Sequence, residues 1–170
     1  MPFRGLRYDP DVVGNPAAVL CPPYDLITPE IQAALRQSSP YNVVHLEAGE
    51  GLDWKHPAHN QYSDTANLFH EWKNSGVLRR DQEPSYYLLR QVFSHDGKEW
   101  SRLGLTACIG LANYDSGQVL PHEYTESPAV QDRVSLITAC NANSSPIMGL
   151  YRDTDGALAP KFQQAMDGPP

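Results

Sequence analysis

The sequence predicts an α+β fold: a mixed or antiparallel sheet with a central hairpin and packed helices. Three observations carry this. Asp96-Gly97 lies between two apolar runs, Pro84–Ser94 and Glu99–Leu111, which is the strongest short-range hairpin signal. Tyr62, Ala66, Phe69 and Trp72 recur at spacings of four, three and three, which is one stripe of a helix. Hairpin-linked strands and helices are interleaved without the regular alternation that builds a doubly wound parallel sheet.

Each element follows in order. Phe3–Tyr8 reads as a short strand. Ala17–Cys21 runs into Pro22-Pro23-Tyr24-Asp25, where two prolines fix two φ angles and remove two donors, so the chain is stiff and extended. Thr28-Pro29-Glu30 opens a helix, with Thr28 as cap, Pro29 at the first position and Glu30 near the positive end of the dipole. Ile31, Ala34 and Leu35 give it an apolar face up to Gln37. Tyr41–Leu46 is expected as a strand and residues 48–58 as a loop. A longer helix covers Asn60 to Asn74, ended by Gly76. The hairpin arms, rich in Tyr, Leu, Val and Phe, are expected as central strands. A polar loop fills residues 112–127. Ser127 caps a helix from Pro128 to Cys140, with Val130, Val134 and Ile137 as its apolar stripe. Ser145–Tyr151 is expected as a strand, Asp155-Gly156 as a turn and Leu158–Met166 as a last helix.

Composition narrows the function classes. The chain has 170 residues, enough for one ordinary domain. Lys plus Arg is 13 and Asp plus Glu 20, so the net charge is −7, opposite to what phosphate neutralisation by a nucleic-acid binder needs. No run approaches the roughly 20 apolar residues of a membrane span, and no signal peptide is visible. Three widely spaced cysteines, Cys21, Cys108 and Cys140, make a disulfide framework improbable and a reducing cytoplasm the expected setting.

Most chemical signatures are absent. There is no phosphate loop, dinucleotide fingerprint, Cys-x-x-Cys pair or nucleophile elbow. His122-Glu123-Tyr124-Thr125-Glu126 begins like the zinc-protease signature, but Glu126 stands where the second His must be. His56-x-x-His59, with Asp53 and Asp64 near, has weak metal-ligand spacing; with His122 and Glu123 it defines a metal-dependent hydrolase as the weaker alternative. Pro121–Arg133 holds the densest chemistry. His122 beside Glu123 suits general-base work, while Thr125, Ser127 and the free N–H groups at a helix start suit an anion. The plainer reading there is a capped helix with a solvated acidic lead-in and an Asp132–Arg133 surface pair. Pro22-Pro23-Tyr24-Asp25 is the second candidate. It either presents Tyr24 and Asp25 to a ligand or is a rigid corner whose Tyr packs inward.

Taken together, the segments resemble a known family. They are Cys21-Pro22-Pro23-Tyr24-Asp25, Ser39-Pro40-Tyr41-Asn42-Val43-Val44-His45-Leu46, Gly76-Val77-Leu78 and Pro84-Ser85-Tyr86-Tyr87, followed by Arg102-Leu103-Gly104, Pro121-His122-Glu123-x-Thr125, Asp132-Arg133, Asn143-x-Ser145-Pro146-Ile147 and Gly149-Leu150-Tyr151. In this order they resemble the N-terminal part of the domain of unknown function 1015 family. The likeness gives a family region over residues 1–152 and the start of a following segment over 153–170. Members are usually longer, and their later half carries an Asp-Gly-His-His-Arg segment similar to one in free-serine kinases of the ParB/sulfiredoxin-like superfamily. The resemblance therefore implies a nucleotide-dependent small-molecule kinase, using ATP or ADP with Mg and a hydroxyl acceptor such as free L-serine. Residue type and the resemblance together point to Glu123 as base, His122 as phosphate or metal contact, Arg133 as neutraliser of phosphate charge, and Tyr24, Asp25, Thr125 and Asp132 around substrate and nucleotide. No Asp-Gly-His-His-Arg occurs in this chain, so it is either a truncated portion or a short member without the chemistry; the ending Gly168-Pro169-Pro170 completes no element and favours truncation, and the chain is expected to be inactive alone. The alternative is a non-catalytic nucleotide-binding or regulatory ParB-like module.

Overall fold

The structure, a computed structural model, describes residues 1–47, 61–122, 124–125 and 127–168. The expected loop at 48–58, with Asp53 and His56, lies outside the described residues, as do His59, Glu123 and Glu126. Helices and antiparallel strand pairs make up the described chain, so the α+β expectation holds. The chain divides into two units.

The first unit comprises Leu6–Asp81 and Ala112–Ser145. Strand β1 (Leu6–Tyr8) pairs antiparallel with β2 (Leu78–Arg80). Helix α1 (Pro10–Val13) follows β1 directly, because Asp9 accepts from the Asp11 amide at 3.0 Å and Pro10 occupies the first helical position. Helix α2 (Pro29–Ser38) forms as its local sequence dictates: Thr28 Oγ1 accepts from the Ile31 amide and Pro29 is the first helical residue. Helix α4 (Gln61–Asn74) turns its Phe69 and Trp72 face inward, and Gly76, at φ 83°, takes the chain into β2. Leu46, Phe69, Trp72, Val77, Leu136 and Cys140 form the core, with Tyr8 tilted and Tyr41 edge-on against the Trp72 ring.

Two expectations fail here. Tyr41–Leu46 is not a strand: Val44–Glu47 forms a short helix, α3. The cause is Asn42, which is fully buried. Its Nδ2 donates to the carbonyls of Ala18 and Leu20, both at 2.8 Å, and its Oδ1 accepts from the Val44 amide at 2.9 Å. That last bond caps a helix start and outweighs the β preference of two valines. Helix α5 (Ser127–Cys140) forms as expected but faces the other way. Val130, Val134 and Ile137 are each more than 40% exposed, while Asp132, Leu136 and Cys140 are buried.

The second unit comprises Met1–Gly5, Gln82–Leu111 and Pro146–Pro170. Strands β3 (Tyr87–His95) and β4 (Lys98–Thr106) form the expected hairpin, with Phe93 opposite Trp100. Asp96 at φ 51° and Gly97 at φ 70° give two successive left-handed residues, the turn whose twist matches the strands. Among the described residues each arm pairs with the other alone, so these are not central strands. Phe3 bridges Ser85, and Tyr87 Oη accepts from the Gly5 amide at 2.7 Å. Ser145–Tyr151 is not a strand and is exposed throughout. Helix α6 (Leu158–Asp167) matches its expectation, its first amides held by the Asp153 carboxylate. No helix among the described residues is long and apolar enough to cross a membrane.

Candidate functional site

The first unit contains a polar cluster, built on the buried acids Glu47 and Asp132 and assembled from five chain segments. Its centre is Arg133, in the second turn of α5. Arg133 Nη1 donates to Glu47 Oε2 at 2.6 Å, while Nη2 and Nε donate to Asp132 Oδ2 at 2.6 and 2.8 Å. Glu47, at the end of α3, accepts from Ser145 Oγ at 2.9 Å through its other oxygen. Asp132 accepts from Tyr62 Oη of α4 at 2.8 Å through its own. Every carboxylate oxygen of the two acids therefore has a donor. The guanidinium carbon also lies 4.3 Å from the centroid of the Tyr24 ring, within cation–π range.

The local sequence explains each placement. Pro22 and Pro23 hold the backbone extended into a single helical turn at Tyr24–Leu26, which turns Tyr24 toward Arg133. Asn42 starts α3 and so delivers Glu47 three residues into it. Asp132, Leu136 and Cys140 follow at four-residue spacing, so one face of α5 meets α4. Tyr62 is on the inward face of α4, at the head of the stripe that carries Phe69 and Trp72.

Two acids face one guanidinium in this cluster. Burial opposes the Arg133 charge, but the hydrogen bonds and charges of Asp132 and Glu47 outweigh it and hold the guanidinium above its ordinary value. The neighbouring thiols feel the same acid. Burial first, then the Glu47 charge, pushes Cys21 up to about 11. Cys140 is raised by the same two causes in the same order. Both thiols are therefore neutral at pH 7 and poor nucleophiles.

Of the residues singled out from sequence, the structure brings Tyr24, Asp132 and Arg133 together. Asp132–Arg133 is not a surface pair: Asp132 is fully buried and its partner's side chain is 18% exposed. Tyr24 is half-buried, whereas Asp25, His122 and Thr125 are exposed. Among the described residues no group of three His, Cys, Asp or Glu is arranged to hold a metal ion. Sequence reasoning did not assign Glu47, Tyr62 or Ser145 to the site. Glu47 follows the Val43-Val44-His45-Leu46 motif, Ser145 lies within Asn143-x-Ser145, and Tyr62 belongs to the α4 stripe and does pack against the core; nothing local links the three.

The family model for proteins of unknown function DUF1015 matches residues 1–170. The chain belongs to the DUF1015 family. The buried cluster thus sits in a DUF1015 chain and joins two of the segments that carry the family likeness, the double-proline corner and the Asp132-Arg133 helix. No curated protein and no solved structure matches this DUF1015 chain.

Proposed function

We propose that this chain takes part in phosphoryl transfer from ATP or ADP to the hydroxyl of a small molecule, with free L-serine the candidate acceptor. The observation that carries the reading is the Arg133–Tyr24 contact, at 4.3 Å. It ties the double-proline corner to the helix that follows His122 and Thr125, so the two chemically richest segments share one anchor. The resemblance of the family's later segment to free-serine kinases supplies the reaction class.

The geometry bears on Arg133 and Asp132; the other roles rest on residue type and the family resemblance. Arg133 is bonded to two carboxylates, so its charge is already taken up. It acts as a positioning residue that fixes Tyr24 and the start of α5, not as the neutraliser of phosphate that residue type alone suggests. Asp132 in turn holds Arg133. Tyr24 and Asp25 line the nucleotide or acceptor side. His122 and Thr125 contact phosphate, and Glu123 is the base that takes the acceptor proton. Magnesium with a nucleotide commonly takes one or two protein carboxylates besides the phosphates, so an exposed Asp25 fits that need without a three-residue cage. When bound, the ion would offset phosphate charge during transfer.

The test is phosphoserine formation by the full reading-frame product with Mg, L-serine and ATP or ADP. Glu123→Gln and Asp25→Asn are expected to lower turnover by about 100-fold or more. Unchanged turnover in Glu123→Gln removes that residue as base, and no transfer to any small hydroxyl compound removes the reading. One observation favours a second reading, a non-catalytic nucleotide-binding module: the cluster's acids are all satisfied internally, as in a scaffold. Calorimetry with ATP, ADP and CTP separates the two, since this module binds without transfer.

A further inference from the structure

One imidazole joins α2 to α3. His45 Nδ1 lies 3.2 Å from Arg36 Nη1, and its Nε2 lies 3.2 Å from the Ser39 carbonyl. A guanidinium only donates and a carbonyl only accepts. The ring must therefore carry its proton on Nε2 and offer a bare Nδ1 to Arg36, which is one tautomer of the neutral form. A second proton has Nδ1 alone to bind, and there it sets an N–H against a guanidinium N–H. Two positions further along the same four-residue helix, Glu47 grips Arg133.

We propose that the Arg36–His45–Ser39 junction is an acid-sensitive latch on the buried cluster: charging His45 drives α3 away from α2 and loosens the hold of Glu47 on Arg133. Among the described residues, two elements supply the groups that act on the ring. Arg36 comes from α2 and the Ser39 carbonyl from the α2–α3 connection. Among the described residues, helix α4 packs on α3 with no charge that acts on the imidazole, and Glu47 on α3 itself is bonded to Arg133 and Ser145. Burial is the largest influence and holds His45 below its ordinary value of 6.5. The Ser39 carbonyl and a bond to the Arg36 backbone act against that, and the Arg36 charge adds to it. The sign is clear: a base whose folded value is depressed leaves the fold at full stability above the unfolded value. Stability is then lost as pH falls below it, because the unfolded chain takes up the proton first. The inference is independent of the kinase reading.

Imidazole nitrogen NMR of the 170-residue chain, titrated from neutral to about pH 5, tests it. The expected result is the Nε2–H tautomer at neutral pH, a midpoint below 6.5, and an Arg133 Nε–H resonance that shifts with the same midpoint. His45→Gln, whose amide can donate to Ser39 and accept from Arg36 without titrating, is expected to abolish the Arg133 shift. A His45 midpoint at or above 6.5 overturns the proposal, as does an Arg133 signal indifferent to it. Should His45→Gln not fold, the paired titrations in the unmodified chain still decide.

Discussion

Glu47→Ala is the sharpest perturbation of the buried cluster. It removes both acceptor oxygens at a side chain only 6% exposed, leaving Arg133 Nη1 and Ser145 Oγ without them. Breaking a buried ion pair by deleting one partner costs about 3–5 kcal/mol. Asp132 still takes two bonds from the guanidinium, so the lower end, about 3 kcal/mol, applies to the pair. The lost Ser145 bond adds about 1 kcal/mol. Glu47→Gln keeps an acceptor for Arg133 and a donor that Ser145 can accept, so it loses charge but not packing and should cost about 1–2 kcal/mol. The assay is urea unfolding followed by tryptophan fluorescence, with buried Trp72 reporting on this unit. A Glu47→Ala cost within about 0.5 kcal/mol of zero, the range of an ordinary surface change, would refute the reasoning.

Further predictions concern neighbouring groups. Asn42→Asp should destabilise more than Asn42→Ala, because it sets a carboxylate against the Ala18 and Leu20 carbonyls; Ala itself should cost about 2–4 kcal/mol in the same unfolding assay. In Glu47→Gln, with Cys108→Ser to silence the exposed thiol, Cys21 should titrate below about 11. Burial remains its largest influence, so it should stay above the ordinary thiol range when followed by thiolate absorbance. Asp9 should titrate below the usual carboxylate range, chiefly through its bond to Arg79, and return toward it in Arg79→Gln by carbon NMR. Its contribution is present above the unfolded value and fades as pH falls through the folded one.

What the sequence discloses here is what short spans decide. Thr28-Pro29 capped α2 and Asp96-Gly97 closed the hairpin because each signal acts within four residues. Tyr41–Leu46 misled because Asn42 finds its partners 22 and 24 residues back, and β propensity knows nothing of them. The face of α5 misled for a related reason. Hydrophobicity alone points Val130, Val134 and Ile137 inward, yet Asp132 is affordable inside because Tyr62 and Arg133 supply its hydrogen bonds. Ser145–Tyr151 has the composition of a strand, but a strand needs a partner edge that composition does not specify. At the candidate site, Tyr24, Asp132 and Arg133 were legible as dense chemistry. Glu47 was not, since its meaning arises only when Arg133 arrives from 86 residues away.

The account turns on the guanidinium of Arg133 resting against Tyr24. A double-mutant cycle on unfolding free energy with Tyr24→Leu and Arg133→Met measures that contact apart from the cluster's other bonds. The predicted coupling is about 0.5–2 kcal/mol, the range of a partly desolvated cation–π pair. Additivity of the two changes within about 0.3 kcal/mol would mean that corner and helix are not joined there, contradicting the account.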